Sequence, residues 1–233
     1  NANYAWILHM ISKLDVSHGV AGFLLANGAL NDPDEFEIRK QILLNDKVEA
    51  IVVLPRDMFY TTDISVTLWI VNMNKKAGTV NGRQLRDRTH EVLLMDLRRW
   101  DENIEEIVID KGKKKKKTIL NETQIDEIKK NYNNWKSADE SLYKDVPEFC
   151  RSVKLLNNDL TEDEKKAEIP TIESKNFSLA PSKYIEFIDH DLEIDYEKEM
   201  ARIQNEMREV LKVEKKSQAM LEDAFRGIGY GIE

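Results

Sequence analysis

Apolar residues recur in two patterns along the first part of the chain. Close to the amino terminus they return every three or four positions, the spacing of one helix face, at Tyr4, Ile7, Leu8, Ile11 and Leu14. Two later runs, GVAGFLLA (residues 19–26) and VEAIVVLP (residues 48–55), are almost continuously apolar, which is typical of strands buried on both faces of a parallel sheet. Residues 31–46 between them have helical spacing, so we predict a strand-helix-strand unit with a right-handed crossover.

The predicted crossover helix has start signals of its own. Asp32 can cap the helix, Pro33 suits its first position, and Glu35 stands where a capping box needs a carboxylate. The next apolar run, residues 65–73, follows too closely for another crossover helix, so we predict an antiparallel neighbour of the preceding strand. Residues 90–98 are a further strand candidate.

Beyond residue 100 the pattern becomes more polar and less regular. Asn121 and Gln124 stand where a capping box would begin a helix, which we predict over residues 121–135. Residues 195–226 predict a much longer helix with one narrow apolar stripe, and Gly227 suits its end. The stripe consists of Met200, Ile203, Met207, Val210, Leu211, Leu221 and Phe225.

These patterns divide the chain into three regions. Residues 1–110 have the pattern of an α/β domain, residues 111–194 that of a mixed helical and loop-rich extension, and residues 195–233 carry the long helix. A narrow apolar stripe with charged flanks suits docking against a partner helix, and it also suits packing against the protein's own domain.

The composition narrows the class of protein. The 233 residues are 41% hydrophobic and 33% charged, with a net charge of −8, which is typical of a globular protein and disfavours indiscriminate binding to nucleic acid. The single cysteine, Cys150, cannot form an internal disulfide, so we expect a reducing, cytoplasmic environment. No apolar run approaches the ~18–20 residues that cross a bilayer, and the four histidines lack the spacing of a metal site, so we expect neither a membrane span nor a metal.

An adjacent aromatic pair, Phe59 and Tyr60, stands on the polar connection that follows Pro55. Ligands of open α/β sheets bind beyond the carboxyl ends of the parallel strands, so both rings are expected on the ligand-binding rim of the sheet. A ring there can stack on a planar ligand such as a nucleic-acid base, or it can pack beneath the strand that follows. Asn27 ends the first predicted strand on the same rim, where it either contacts a substrate or shapes the turn.

A run of five lysines follows the α/β region. Such a run can contact DNA phosphates, which would make binding salt-dependent, or it can form a solvated hairpin. The pattern favours neither interpretation, because the run contains no interleaved aromatic residue and no arginine. Its members are Lys113, Lys114, Lys115, Lys116 and Lys117.

Several segments, in order, resemble one protein family. They are NANYAWILHMISKL, GVAGFLLANGAL, EIRKQILLNDKVEAIVVLP, MFYTTDISVTLWIVNMNK and EVLLMDLR, followed by IDEIKKNYNNW, YKDVPEFCRSVKL, NFSLAPSKYIEF and the final helix. Together they are similar to the second half of the modification subunit of type I restriction-modification systems, an adenine-specific DNA methyltransferase. The resemblance covers essentially the whole chain, and its specificity lies in the ordered series rather than in one motif.

The resemblance implies a fold and a function. The family has a Rossmann-like α/β sheet, mostly parallel with an antiparallel strand, and transfers a methyl group from S-adenosylmethionine to the exocyclic amine of adenine in DNA. Phe59 matches best the aromatic position on which related enzymes stack the flipped adenine, and Tyr60 is the second candidate. The long carboxyl-terminal helix matches the region that docks on the specificity subunit. The nuclease subunit is a further candidate partner.

Two elements of the family do not occur in this sequence: the glycine-rich loop that holds the cofactor and the Asn-Pro-Pro-Phe motif that contacts the adenine amine. The resemblance therefore implies a piece that begins just downstream of the catalytic residues. We expect it to contain no catalytic residue, to bind no cofactor alone, and to leave an open sheet edge at residues 19–26. Two alternatives remain, a non-catalytic module that binds the specificity subunit and an unrelated nucleotide-binding α/β protein.

Overall fold

A computed structural model describes residues 2–60, 62–108, 114–188, 196–227 and 229–230. The chain divides into two compact units, Asn1–Phe187 and Ile188–Glu233. The helices are α1 (Asn3–Lys13), α2 (Phe36–Leu44), α3 (Glu122–Lys136), α4 (Glu162–Lys166) and α5 (Tyr196–Gly227). The strands are β1 (Val20–Ala26), β2 (Val48–Val53), β3 (Val66–Asn72), β4 (Gly78–Val80), β5 (Arg83–Leu85), β6 (Glu91–Asp96), β7 (Ile104–Val108), β8 (Lys114–Thr118) and β9 (Cys150–Lys154).

The first unit is built on a mixed five-stranded sheet with the order β1-β3-β2-β6-β9. β2 and β6 are parallel, whereas β3 is antiparallel to both of its neighbours, β1 and β2. β1 and β2 therefore run in the same direction, as a crossover connection requires, but β3 lies between them. The α/β class and the antiparallel strand are confirmed. The sequence pattern did not reveal that β3 separates the two strands of the predicted unit.

β1 forms one edge of this sheet, and the prediction that it is buried on both faces is wrong. Its residues alternate between half-buried and exposed, and Leu24 is 47% exposed. Phe23 and Leu25 pack on the core from one face, while β3 is the only strand that pairs with β1 among the described residues. The apolar character of β1 thus coexists with an open backbone edge, which is a site where further strands can add.

Two apolar cores cover the two faces of the sheet. On one face, α1, α2 and residues 155–185 pack against β2 and β3, with Trp69 stacked on Phe23 and edge-on to Tyr4. On the other face, α3 and residues 149–150 cover β2 and β6, with Trp135 fully buried. Burial of large side chains on both faces of β2 makes this strand the centre of the fold.

Residues 114–187 belong to the same unit as the five-stranded sheet. β9 pairs with β6 in antiparallel register, and Val153 and Leu155 enter the same core as α1 and α2. The predicted boundary near residue 110 falls between β7 and β8, inside this unit, and the second unit begins at Ile188. β9 escaped prediction because its sequence, CRSVK, is polar and short.

Two helix starts test the capping signals. α2 begins at Phe36 without a side-chain cap, and the Asp32 carboxylate instead accepts a hydrogen bond from the Asp34 backbone, 3.0 Å away, so the predicted start at Asp32 is wrong. α3 has the predicted capping box: the Asn121 side chain accepts from the Gln124 backbone at 2.8 Å, and the Gln124 side chain accepts from the Asn121 backbone at 2.9 Å.

Candidate nucleic-acid interface

One rim of the sheet gathers the carboxyl ends of β1, β2 and β6. The pairings Ala26–Val66, Val53–Thr67 and Val53–Asp96 place these ends beside one another and beside the start of β3. The loop of residues 54–65 connects β2 to β3 across this rim. A ligand that binds as ligands of open α/β sheets do would meet this loop first.

The loop is anchored at its base. The Leu54 backbone N–H donates to the carbonyl oxygen of Val66 at 2.9 Å, and the Ser65 hydroxyl donates to the carbonyl oxygen of Leu54 at 2.6 Å. Pro55 is buried, and Asp57 adopts a positive φ of 61°, which turns the chain sharply. These contacts hold the ends of the loop together and leave its middle at the surface.

Phe59 and Tyr60 lie in that middle segment. Phe59 is half-buried, and Tyr60 is 65% exposed. Neither side chain is fully buried. Packing of the rings beneath the strand that follows was the alternative that the sequence left open. Both side chains therefore keep part of their surface exposed to solvent.

The lysine run lies against the same loop, which the sequence gave no reason to expect. β7 and β8 form a two-stranded antiparallel hairpin, and the Thr118 backbone N–H donates to the carbonyl oxygen of Asp57 at 3.0 Å. Lys115 Nζ donates to the carbonyl oxygen of Tyr60 at 3.2 Å and forms an ion pair with Asp63. Lys117 Nζ lies 4.4 Å from the centroid of the Tyr60 ring.

The lysines of β8 divide into two sets by their orientation. Lys115 and Lys117 are half-buried toward the loop, whereas Lys114 and Lys116 are exposed. Lys114 pairs with Glu106 at 2.9 Å, and Glu106 and its neighbour Glu105 stand across the hairpin from the lysines. Lys113 lies outside the described residues. The two-residue period of a strand would have predicted two faces for the run, but not what the inner face contacts.

The charge at the loop is balanced rather than uniformly basic. The Lys115 ammonium donates a hydrogen bond to the Asp63 carboxylate and holds the pKa of this carboxyl below its usual value. Together with the glutamates of β7, this pairing means that nearby carboxylates neutralise much of the positive charge of the lysine run. The candidate interface is an aromatic loop braced by lysines, not an open basic patch.

Asn27 lies on the same rim but is engaged within the fold. It begins a short 3-10 turn, Asn27–Leu30, and its Oδ1 accepts a hydrogen bond from the Thr67 hydroxyl at 2.6 Å. These contacts fit the turn-shaping interpretation of Asn27.

The ends of β1, β2 and β6 are the rim positions at which a cofactor of an open α/β sheet would bind. β1 runs directly into the 3-10 turn, and β2 runs into the buried Pro55. Asp96, at the end of β6, is buried, and its carboxylate forms an ion pair with Arg98 at 2.6 Å. We assign no cofactor contact to the described residues of the rim.

Other candidate chemistry is limited. In the described ranges, histidine, cysteine and acidic side chains form no group of three or more suited to a metal ion. Cys150 is buried, and burial raises the pKa of its thiol to about 11, which makes it a poor nucleophile. Among the same residues, no helix is both long and apolar enough to span a lipid bilayer.

α5, in the second unit, is a 32-residue helix without a buried residue in the described part of the chain. Six residues of the predicted stripe are exposed, Met200, Ile203, Met207, Val210, Leu211 and Leu221, and Phe225 is half-buried. Exposed pairs such as Arg202 with Glu199 and Lys212 with Glu209 surround the stripe.

A family model and curated relatives both connect this chain with DNA methylases. The family described as N-6 DNA Methylase matches residues 1–192. The type I restriction enzyme HindI methylase subunit of Haemophilus influenzae is 28% identical over 236 residues, covering 99% of this chain and 44% of that protein. The MjaIX methylase subunit of Methanocaldococcus jannaschii is 27% identical over 231 residues, covering 99% of this chain and 36% of that protein.

A solved structure shares the fold. The methyltransferase subunit of a type I restriction-modification system from Streptococcus thermophilus matches with a TM-score of 0.54 and 21% identity, over 81% of this chain and 31% of that one. The chain spans less than half the length of the two curated relatives described above. Because the family match covers most of the chain, this protein belongs to the N-6 DNA methylase family.

Proposed function

We propose that this chain is the base-receiving and assembly part of a type I restriction-modification methyltransferase subunit. The proposed reaction moves a methyl group from S-adenosylmethionine to the exocyclic amine of adenine in DNA. Family membership and the names of the relatives support the reaction class. The accessible pair Phe59 and Tyr60 on the carboxyl rim is the observation that carries the role of these residues.

The proposed role of the rings is to stabilise an adenine that has left the duplex. Extruding a base costs a few kcal/mol of lost stacking and pairing. Stacking on an aromatic side chain returns about 1–3 kcal/mol per base. Phe59 is the first candidate because the resemblance matches it to the stacking position, and its half-buried setting limits the conformations that binding must freeze. Tyr60, beside it, is the second candidate.

Methyl transfer needs two further contributions. S-adenosylmethionine supplies the methyl group when it is bound. A polar acceptor must also raise the nucleophilicity of the adenine amine, whose lone pair is delocalised into the ring. In the resembling family this acceptor belongs to the Asn-Pro-Pro-Phe motif, which these 233 residues do not contain. We therefore assign this chain to binding the base and not to activating the amine, and expect it to be inactive alone.

The test compares Phe59→Leu with Phe59→Tyr in the full-length protein. Leucine keeps an apolar side chain but removes the ring, whereas tyrosine keeps the ring. Because stacking contributes about 1–3 kcal/mol, we expect Phe59→Leu to lower kcat/KM for methylation on the order of 10- to 100-fold. Phe59→Tyr should retain most activity. Affinity for S-adenosylmethionine should be unchanged in both variants.

A fluorescent adenine analogue at the target position reports extrusion of the base directly. Phe59→Leu should reduce its signal in the complex, and Phe59→Tyr should preserve it. Equal behaviour of the two variants would reject the stacking role of Phe59. A loss of cofactor binding with intact base extrusion would show that the ring serves the cofactor instead.

The second proposed role is assembly through α5. The exposed stripe and its charged flanks support docking on a partner helix, for which the specificity subunit is our candidate. The nuclease subunit is a further candidate partner of the assembled complex.

Met207→Asp combined with Leu211→Asp tests this role, because it places two charges on the stripe and should abolish co-purification with the specificity subunit. At 100° per residue, Asn205 and Lys216 lie on the opposite face of α5. The control, Asn205→Asp with Lys216→Asn, changes the net charge equally and should leave co-purification intact. Retention of the partner by the stripe variant would exclude docking at this position.

A further inference from the structure

We infer that Lys115 and Lys117 of β8 are positioning residues that hold Tyr60 and its loop for the incoming base. The inference rests on the proposed function for the role of the loop. The contacts between these lysines and the loop, which we call the brace, are all between described residues. The inferred role of these two lysines is thus structural and differs from binding DNA phosphate.

Three residues of β8, Lys115, Lys117 and Thr118, contact the loop. The Thr118 backbone bonds to Asp57 at the entry of the loop. The Lys117 ammonium lies over the Tyr60 ring in its middle, and the Lys115 ammonium bonds to the Tyr60 carbonyl and to Asp63 near its exit. A strand that contacts a loop at its entry, middle and exit restricts both the backbone and the ring.

The alternation of β8 explains why only half of the run takes part. Successive side chains of a strand point to opposite sides, so Lys115 and Lys117 share the side that faces the loop. Lys114 and Lys116 point away and are exposed. The two pairs carry equal charge on one strand, which makes them matched sets for experiment.

The surroundings of Lys115 disfavour a phosphate contact at this position. Its side chain is only 19% exposed, and its ammonium already meets a carboxylate and a carbonyl oxygen. An ammonium with two anionic or polar acceptors gains little from a phosphate that would have to displace them.

Lys117 constrains the ring without covering it. An ammonium 4.4 Å from a ring centroid is within the range of cation–π attraction. Tyr60 nevertheless remains 65% exposed, so most of the side chain is still open to a ligand. The contact therefore restrains the ring before a base arrives, which lowers the cost of ordering it on binding.

The first experiment measures the brace in the full-length protein without DNA. Hydrogen exchange of backbone amides in residues 57–63 is compared among Lys114→Met, Lys115→Met, Lys116→Met and Lys117→Met. Each change removes one charge and keeps the length of the side chain. We expect exchange to become about two- to fivefold faster in Lys115→Met and Lys117→Met. It should stay at the wild-type rate in Lys114→Met and Lys116→Met.

The second experiment measures the consequence for the base. Lys117→Met should lower kcat and the fluorescence of an extruded adenine analogue more than it changes KM for DNA. Lys117→Arg should restore both, because arginine also stacks on aromatic rings. Loss of phosphate contacts would instead raise KM and flatten the salt dependence of binding by a similar amount in all four methionine variants.

The outcomes separate the inference from the proposed function. Faster exchange confined to the two inward variants, with rescue by arginine, would support positioning. Equal exchange in all four variants would overturn it, whatever the activity shows. Faster exchange in Lys115→Met and Lys117→Met without an effect on base extrusion would overturn positioning for the base, while the Phe59 comparison judges the proposed function independently.

Discussion

Glu49 and Arg88 form an ion pair that is closed to solvent, with Oε1 of the carboxylate 3.3 Å from Nε of the guanidinium. The second carboxylate oxygen accepts a hydrogen bond from the Tyr132 hydroxyl at 2.8 Å, and Lys136 lies 3.8 Å from Oε1. The cluster thereby joins the start of β2, the connection before β6 and helix α3. It lies at the amino end of β2, opposite the aromatic loop.

Arg88→Met should destabilise the protein by about 3–5 kcal/mol, because it leaves a buried carboxylate without its main counter-charge. Chemical denaturation, followed by tryptophan fluorescence, measures the change. Adding Glu49→Leu to this variant should recover part of the loss, since the unpaired charge is then removed. No recovery would mean that packing of the Arg88 side chain, rather than charge pairing, accounts for the effect.

A surface pair serves as the reference for Arg88. Lys165 and Glu162 are 2.8 Å apart on α4 and are largely exposed. Lys165→Met should change the free energy of unfolding much less than Arg88→Met does, because exposed pairs are weakened by water and salt. A similar cost for the two substitutions would contradict the importance that we give to burial.

Tyr132→Phe should cost about 1.5–3 kcal/mol of stability, the range for a hydrogen bond to a charged group. The hydroxyl satisfies one oxygen of the buried Glu49 carboxylate, and phenylalanine removes it while leaving the ring in place. Tyr143→Phe, which loses a 3.0 Å bond to the more exposed Asp145, should cost less. The midpoints of urea unfolding compare the two variants, and the reverse order would be inconsistent with this account.

Asn121→Ala should destabilise α3 and the protein by about 1 kcal/mol, because it removes the side chain that accepts from the Gln124 backbone. Asn121→Asp should keep most of the stability, since a carboxylate also caps a helix start and interacts well with its dipole. Thermal unfolding of the three proteins measures the difference. Equal destabilisation by alanine and aspartate would show that the cap is not what stabilises this end.

Stability should fall at alkaline pH in part through Tyr4. Burial raises the pKa of this hydroxyl to about 12 from its usual value near 10, and the hydroxyl donates to the Ala29 carbonyl at 2.7 Å. The unfolded chain loses this proton before the folded chain does, so the contribution is complete below pH 10 and is lost as pH rises to about 12. A shift of this size corresponds to at most about 2.7 kcal/mol.

Tyr4→Phe isolates this contribution. The variant should be less stable at neutral pH, because it loses the bond to Ala29, and its free energy of unfolding should decline less steeply between pH 10 and pH 12. Denaturant titrations at several pH values give both quantities. An unchanged slope would assign the alkaline loss to the other buried tyrosines and to Cys150, whose pKa values are also raised.

Local signals in the sequence predicted much of the secondary structure. The continuous apolar run of β2, the capping box of α3 and the stripe of α5 each depend on neighbours within a few residues, and the structure has all three elements. The start of α2 was missed because Asp32 bonds to its own turn instead of to the helix. The aromatic pair was placed on the rim from one proline and the direction of one strand.

Distant contacts decided the rest. Tyr60 and Lys115, which are hydrogen-bonded, lie 55 positions apart in the sequence. Glu49 and Tyr132, also hydrogen-bonded, lie 83 positions apart. The identity of a polar side chain limits what it can bond to, but the strand order and the packing of α3 choose the partner. The position of β3 between β1 and β2 also depends on tertiary packing, because several strand orders would bury the same apolar runs.

The sequence by itself predicted the apolar strand β2, the capped start of α3 and the long helix α5, and it carried the family resemblance of the chain. Only the tertiary structure decided that β1 is an edge, that half of the lysine run faces Tyr60, and that a closed ionic cluster anchors α3. The physical reason is that periodicity and capping act over one or two turns of chain. Pairing between strands and burial of charge are settled only when the whole unit has packed.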